Sequence, residues 1–133
     1  MTSALAQKAH SPVVLLVEDE FLLRWSLQKA LQQRGFQVIS AETGKQALLL
    51  LASHQVDAFI CDHKLPDMEG LEVISRARHL HPQLLYILIT AYATPELEQK
   101  AQTLGVQYLP KPFNAEDLIH LIVIARELRQ TKE

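Results

Sequence analysis

The sequence has little cysteine and no long apolar run, and each shortage excludes a class of protein. The single cysteine, Cys61, lies within an apolar run, where a free thiol is typically a small buried hydrophobe rather than half of a disulfide. The apolar run Val13–Val17 has only five residues before acidic residues interrupt it, and residues 1–12 contain one lysine. Neither a membrane span nor a signal peptide is predicted. We therefore expect a cytoplasmic protein whose residues 1–11 form a flexible tail.

Positive charge is also scarce. Thirteen Lys and Arg against fifteen Asp and Glu give a net charge of -2, so no basic field is available to attract a nucleic-acid backbone. Direct binding of DNA or RNA is not expected. The 133 residues are 48% hydrophobic and 21% charged, which is typical of one folded domain, and we assign it to residues 12–130.

Five short apolar segments alternate with five segments of helical periodicity. The predicted strands are 13–17, 36–40, 57–61, 84–89 and 106–109, and the predicted helices are 21–35, 43–53, 70–79, 95–104 and 114–130. The strands lack polar alternation, which predicts burial on both faces. Thr43 is a predicted N-cap, and Gly35 and Gly105 are predicted to end helices. This alternation predicts an α/β fold with a parallel sheet covered on both faces by right-handed crossovers.

Polar groups of three kinds stand at the C-terminal ends of four predicted strands. Glu18 and Asp19 follow the first strand, Asp62 the third, Thr90 the fourth and Lys111 the fifth. Ligands of such sheets bind beyond these ends. Converging carboxylates repel one another unless a cation neutralises them, and oxygen ligands favour Mg²⁺. A hydroxyl and an ammonium can bind phosphoryl oxygens, so the pattern predicts a site that handles a phosphoryl group.

Each of these residues alone has an ordinary structural explanation. An acidic pair at a strand end is commonly a solvated loop, an isolated Asp or Thr at a turn is commonly a cap, and a lone Lys is commonly a surface residue. The functional interpretation is favoured because all of these residue types fall at the ends of different strands of one sheet.

Four segments carry a family resemblance. VVLLVEDE, CDHKLPDMEG, LITAYA and YLPKPF resemble the motifs of bacterial two-component response-regulator receiver domains, over residues 12–128. Within that family, LRWSLQKAL and YLPKPF are most similar to receivers that control σ54-dependent activators. The resemblance implies a flavodoxin-like, doubly wound sheet of five parallel strands in the order 2-1-3-4-5. It also implies a regulatory phosphoacceptor of a phosphorelay rather than an enzyme.

The resemblance assigns roles by motif position. It implies that Asp62 accepts the phosphoryl group and that Glu18 and Asp19 bind Mg²⁺. The backbone carbonyl of Lys64 is implied to complete the metal ligands, and Lys111 to contact the phosphoryl group. Glu18 stands where the family more often has Asp, and we expect it to keep a contact with the metal through water.

The resemblance also implies a switch and its partners. Thr90 would move toward the phosphoryl group, and the space that it leaves would admit Tyr108. The face formed by the fourth helix, fifth strand and fifth helix would then bind an output domain, a partner protein or a second copy of the chain. The alternative for Tyr108 is an ordinary aromatic at the sheet edge. The implied phosphoryl donor is a sensor histidine kinase or a histidine phosphotransfer protein.

Three apolar residues are predicted to lie exposed at the start of the first helix, beside the acidic residues: Phe21, Leu22 and Trp25. They are either ordinary surface residues or the site at which the histidine-bearing helix of the kinase docks.

Two large residues are predicted to border the path of the water that hydrolyses the phosphoaspartate. Lys64 and Tyr92 each follow a site residue by two positions, and the resemblance implies that these positions tune hydrolysis. We expect both side chains to slow it; the alternative is that Lys64 points into solvent and has little effect. His63 is expected to be a loop side chain without a catalytic role.

Two other functions compete with a phosphoacceptor. An interaction domain that is never phosphorylated would not need the full set of acid pair, Asp62, Thr90 and Lys111. A phosphoaspartate hydrolase would need a second Asp two residues after the nucleophile, where this chain has Lys64. Both are therefore disfavoured.

Overall fold

The computed structural model of the chain describes residues 11–131, so the predicted tail lies outside the described residues except for Ser11. The strands are β1 Val13–Val17, β2 Gln37–Ala41, β3 Ala58–Asp62, β4 Leu85–Thr90 and β5 Gln107–Pro110. The helices are α1 Phe21–Gln33, α2 Gly44–Ser53, α3 Gly70–Leu80, α4 Pro95–Thr103 and α5 Ala115–Thr131. All strand pairs are parallel, in the order β2-β1-β3-β4-β5. The predicted α/β class and strand order are confirmed.

Four strands lie one residue further along the chain than predicted, and only β1 has the predicted bounds. In these four strands the ladder begins one residue later than the apolar run and continues one residue beyond it, to Ala41, Asp62, Thr90 and Pro110. Asp62 and Thr90 are consequently the last residues of their strands, where Asp62 pairs with Ile89 and Thr90 with Pro110. The backbone of both residues is therefore held by the sheet.

Burial differs between the central and edge strands. Every residue of β3 and β4 is buried, as are four of the five in β1. In contrast, β2 and β5 are only partly buried, so the prediction of burial on both faces is wrong for these two strands. They are the edges of the sheet, and part of their surface therefore meets solvent.

The sheet separates two apolar clusters. One contains residues of α2, α3 and α4, and the other contains residues of α1 and α5. The predicted cap is confirmed, because the Thr43 hydroxyl accepts a hydrogen bond from the Gln46 backbone N–H at 3.1 Å. Gly35 and Gly105 follow α1 and α4 with φ of 91° and 73°, as expected where helices end in the left-handed region. Among residues 11–131, no helix has both the length and the apolar character needed to cross a bilayer.

Candidate functional site at the C-terminal strand ends

Three carboxylates meet at one edge of the sheet. Oxygen atoms of Glu18, Asp19 and Asp62 lie within 4.8 Å of one another. Glu18 and Asp62 are only 1% and 5% exposed, whereas Asp19 faces solvent. The convergence that was predicted from the strand ends is therefore present in the structure.

Lys111 supplies positive charge to this cluster. Its Nζ lies 3.0 Å from Glu18 Oε1 and 3.3 Å from Asp62 Oδ1. The backbone N–H of Lys111 donates to the Thr90 carbonyl at 2.7 Å, which extends the β4–β5 ladder to the site. One ammonium against three carboxylates leaves two negative charges uncompensated.

The environment disfavours the ionised form of both buried carboxylates. Burial raises the pKa of Glu18, and repulsion from Asp62 adds to this, against hydrogen bonds from the Glu20 N–H and Lys111. Burial also raises the pKa of Asp62; Lys111 and the His63 N–H oppose the rise, and repulsion from Asp19 adds to it. Although burial lowers the pKa of Lys111, its hydrogen bond and charge interaction with Glu18 and its attraction to Asp62 raise it overall. The site therefore has too little positive charge to balance its three carboxylates.

The donor atoms fit a magnesium ion. All three side chains offer carboxylate oxygens, which are the ligands that a small hard cation prefers. A divalent ion would also neutralise the two uncompensated charges. Glu18, Asp19 and Asp62 are thus a suitable set of side-chain ligands.

The turn after β1 holds Glu18 in place. Its Oε2 accepts a hydrogen bond from the Glu20 N–H at 3.1 Å, and its backbone carbonyl accepts one from Arg24 Nη1 at 2.7 Å. Arg24 also lies 3.9 Å from a carboxylate oxygen of Glu42, in the loop after β2. Arg24 could not be predicted from the sequence, because a side chain that binds a backbone carbonyl leaves no pattern of residue types.

Thr90 and Tyr108 face the same side of the sheet. Tyr108 lies two residues before Pro110, the ladder partner of Thr90, and side chains two residues apart on a strand share a face. Thr90 is fully buried, and its hydroxyl accepts a hydrogen bond from the Tyr92 N–H at 2.9 Å. The buried Tyr108 hydroxyl makes no hydrogen bond of normal geometry among the described residues. Burial raises its pKa, against an interaction with the Thr94 backbone.

Lys64 and Tyr92 contact each other. The Lys64 ammonium lies 5.3 Å from the centre of the Tyr92 ring, within the range of a cation–π interaction. Both residues are exposed, at the loops that follow β3 and β4. Their predicted influence on hydrolysis remains a prediction.

His63 was predicted to be a loop side chain, and in the structure this side chain is buried. It is 8% exposed, and its Nδ1 accepts a hydrogen bond of 3.4 Å from the Leu71 N–H in the first turn of α3. Its own backbone N–H donates to Asp62 Oδ1 and to the Ile89 carbonyl, each at 3.0 Å. Burial lowers the pKa of His63, which suits a neutral imidazole that accepts a hydrogen bond. His63 therefore contributes to the structure around Asp62.

The apolar residues at the start of α1 are exposed as predicted: Phe21 by 63%, Leu22 by 69% and Trp25 by 54%. Arg24 lies 5.6 Å from the centre of the Phe21 ring, and Lys29 lies 5.7 Å from that of Trp25. These residues form an apolar surface with basic neighbours. Its use in docking remains a prediction.

Comparison with known proteins agrees with the geometry. The family model of the response regulator receiver domain matches residues 14–123. The chain is 32% identical over 111 residues to the DNA-binding transcriptional regulator NtrC of Salmonella typhimurium, covering 83% of this chain and 24% of that protein. It is 28% identical over 106 residues to sporulation initiation phosphotransferase F of Bacillus subtilis, covering 79% of this chain and 86% of that protein.

A solved structure is similar over nearly the whole chain. The CheY-like receiver domain protein of Methanospirillum hungatei superposes with a TM-score of 0.88 at 28% identity, covering 93% of this chain and all of that one. The chain belongs to the response regulator receiver domains of two-component systems. It spans about a quarter of the length of the NtrC proteins that it matches. The predicted family is confirmed, and the σ54-related subfamily stays a prediction.

Proposed function

We propose that this chain is the phosphoacceptor of a cytoplasmic two-component pathway, and that Asp62 receives the phosphoryl group from a histidine kinase or a histidine phosphotransfer protein. The observation that carries this proposal is the contact of Lys111 with both Glu18 and Asp62, inside a cluster with too little positive charge. Such a site gains stability from a cation and a phosphoryl group together.

The transfer requires an ionised carboxylate and a fixed position. An oxygen of Asp62 forms the new bond to phosphorus as the bond from the donor histidine nitrogen breaks, and the imidazole leaves with the electron pair. Lys111 would then bind an oxygen of the transferred group, and the Thr90 hydroxyl would donate to another. Mg²⁺, held by Glu18, Asp19, Asp62 and the Lys64 backbone carbonyl, would draw negative charge from the transferring group. The protein contributes mainly position and electrostatics. Because its own carboxylate is the group that is modified, the chain would be a regulatory phosphoacceptor rather than an enzyme.

The signal would leave through the Thr90–Tyr108 pair. In the structure, the Thr90 hydroxyl accepts a hydrogen bond from the Tyr92 N–H. Apart from an interaction with the Thr94 backbone, the buried Tyr108 hydroxyl has no hydrogen bond of normal geometry among the described residues. A phosphoryl group at Asp62 would offer the Thr90 O–H a charged acceptor. Movement of Thr90 would change the surface of α4, β5 and α5, which we propose as the binding site for an output domain, a partner protein or a second copy.

The donor would approach over α1. Phe21, Leu22 and Trp25 form an exposed apolar surface whose basic neighbours suit a partner helix with acidic residues. We propose this surface as the docking site of the histidine-bearing helix.

Small phosphodonors test the central proposal directly. Incubation with acetyl phosphate and Mg²⁺ is expected to add the mass of one phosphoryl group, and peptide mapping after chemical trapping should place it at Asp62. Chelation of Mg²⁺ should prevent the gain. Label at another residue would overturn the assignment of Asp62 as the acceptor. The absence of label with any donor would favour the interaction domain that is never phosphorylated.

Hydrolysis of the phosphoaspartate is expected to be slow, and Lys64→Asn is expected to accelerate it about tenfold, which corresponds to about 1.4 kcal/mol of barrier. The contact of Lys64 with Tyr92 supports the proposal that the two side chains together shield the path of the attacking water. The label that remains on pre-phosphorylated protein is measured over time.

Tyr92→Ala and the double variant complete this experiment. If the two side chains act as a unit, the double variant should be no faster than the faster single variant. A Lys64→Asn protein that keeps its label as long as the wild type would mean that Lys64 only faces solvent.

Thr90→Ala is expected to separate phosphorylation from output. It should still be labelled at Asp62, but its association should no longer respond to beryllofluoride, because the hydroxyl that follows the phosphoryl group is absent. Analytical ultracentrifugation of both proteins, with and without an output partner, measures this shift. A wild-type response that is lost in Trp25→Ala but kept in Thr90→Ala and Tyr108→Ala would place the output surface on α1 instead.

A further inference from the structure

Asp67 joins the loop after the phosphoacceptor strand to a different helix. It lies in the β3–α3 loop, residues 63–69, and its carboxylate accepts two backbone hydrogen bonds from the first turn of α2. Oδ1 accepts from the Gly44 N–H and Oδ2 from the Lys45 N–H, each at 2.9 Å. The first N–H groups of a helix have no partner within it. Asp67 therefore caps α2 from more than 20 residues away.

The contact between α2 and the loop is also closely packed. A Cβ on Gly44 would lie 2.7 Å from Met68 Cγ in the loop and 2.6 Å from Val73 Cγ2 on α3, so the absence of a side chain lets α2 approach both. Although partial desolvation raises it, hydrogen bonds from Gly44, Lys45 and two nearby N–H groups lower the pKa of Asp67 overall. Asp67 is thus held as a carboxylate at neutral pH.

The two ends of the loop are held together beside Asp62. A Cβ on Gly70, the first residue of α3, would clash with the Asp62 carbonyl oxygen, and the Gly70 N–H donates to the His63 carbonyl at 2.7 Å. Lys64 and Glu69 pair in an isolated antiparallel bridge. The loop is therefore closed on itself beside Asp62, and Asp67 at its outer part binds α2.

We propose that Asp67 is a positioning residue for the metal site: by capping α2 it fixes the loop that carries the main chain of Lys64. This inference rests on the proposed function, in which the Lys64 carbonyl is a magnesium ligand. Because coupling between two sites is reciprocal, a bound cation should also strengthen the hydrogen bonds from Gly44 and Lys45 to Asp67.

Magnesium titration of the unphosphorylated chain tests whether Asp67 supports metal binding. With binding followed by amide chemical shifts, Asp67→Ala is expected to weaken the affinity about tenfold, and Asp67→Asn, which keeps one acceptor oxygen, to lie between. Thr43→Ala is the matched control, because it removes the cap on Gln46 in the same helical turn without touching the loop. Its affinity should stay within about twofold of the wild type.

Hydrogen exchange in the wild type tests whether a bound cation strengthens the hydrogen bonds to Asp67. This measurement does not depend on how any variant folds. At a Mg²⁺ concentration ten times its dissociation constant, exchange of the Gly44 and Lys45 amides should slow about tenfold, because the ion stabilises the docked loop. The Gln46 amide, capped locally by Thr43, should change little.

The outcomes distinguish failure of the proposed metal site from failure of the proposed role of Asp67. A wild type that binds no Mg²⁺ would remove the proposed metal site, and this inference with it. A wild type that binds, beside an Asp67→Ala protein that binds equally well, would overturn the role of Asp67 alone. Equal weakening by Thr43→Ala would assign the effect to α2 stability and would also overturn it.

Discussion

Asp62→Asn is expected to abolish phosphorylation and, in metal-free buffer, to raise the free energy of unfolding. Loss of label follows because the amide is not a nucleophile. The gain in stability follows because Asp62 is buried beside Glu18 and Asp19, and its raised pKa shows that the carboxylate is on balance disfavoured. We expect about 1 kcal/mol, or about 4 °C in Tm for a domain of this size.

The pH dependence of this gain has a defined sign. A carboxylate with a raised folded-state pKa binds its proton more tightly in the folded chain, so stability falls as pH rises from the ordinary value of 3.8 through the raised one. The asparagine variant lacks this loss. Its advantage over the wild type should therefore grow across that window and then level off.

Urea unfolding of both proteins at several pH values, with EDTA present, measures this effect. Addition of Mg²⁺ should stabilise the wild type more than the variant, because the ion binds the folded carboxylates. A variant that is less stable than the wild type at pH 7 without metal would show that the contact with Lys111 outweighs burial and repulsion.

Lys111→Met is expected to have the opposite effect on stability and a large effect on transfer. Without the ammonium, the buried carboxylates of Glu18 and Asp62 have no ion-pair partner among residues 11–131, and breaking such a pair costs about 3 kcal/mol. Phosphorylation by acetyl phosphate should slow about 100-fold, because a charged donor to the transferring group is lost. Mg²⁺ should restore part of the stability, since it supplies positive charge to the same carboxylates.

Lys100→Met is the matched control for charge. Lys100 is exposed on α4, and its removal should change stability by no more than about 0.5 kcal/mol and leave the labelling rate unchanged. A Lys111→Met protein as stable as this control would mean that solvent already screens the site carboxylates from one another.

Much of the candidate site could be predicted because it follows from strand direction. Parallel strands bring their C-terminal ends to one edge, so residues that follow separate apolar runs meet there whatever lies between them. This is why Glu18, Asp62 and Lys111 could be placed together without coordinates. The roles of these residues came from the family resemblance, and they remain proposals.

Other features could not be read from the pattern of residue types. Glu18 and Asp19 are adjacent in the chain, yet only Glu18 is buried, because the turn after β1 directs one carboxylate inward and the other to solvent. His63 accepts from the first turn of α3, although an isolated histidine in a loop is most simply expected to face water. Neither arrangement produces a periodic signal.

The sequence by itself determined the alternation of strands and helices, and with it the parallel sheet and the edge at which the polar residues meet. These depend on hydrophobic periodicity and chain direction, which are local properties. Three features follow only from the tertiary structure: the partial exposure of β2 and β5, the hydrogen bond from Arg24 to the Glu18 carbonyl, and the capping of α2 by Asp67. The last two are hydrogen bonds between a side chain and the backbone of another segment. Backbone groups are the same in every residue but proline, so the sequence does not show which of them a distant side chain will bind.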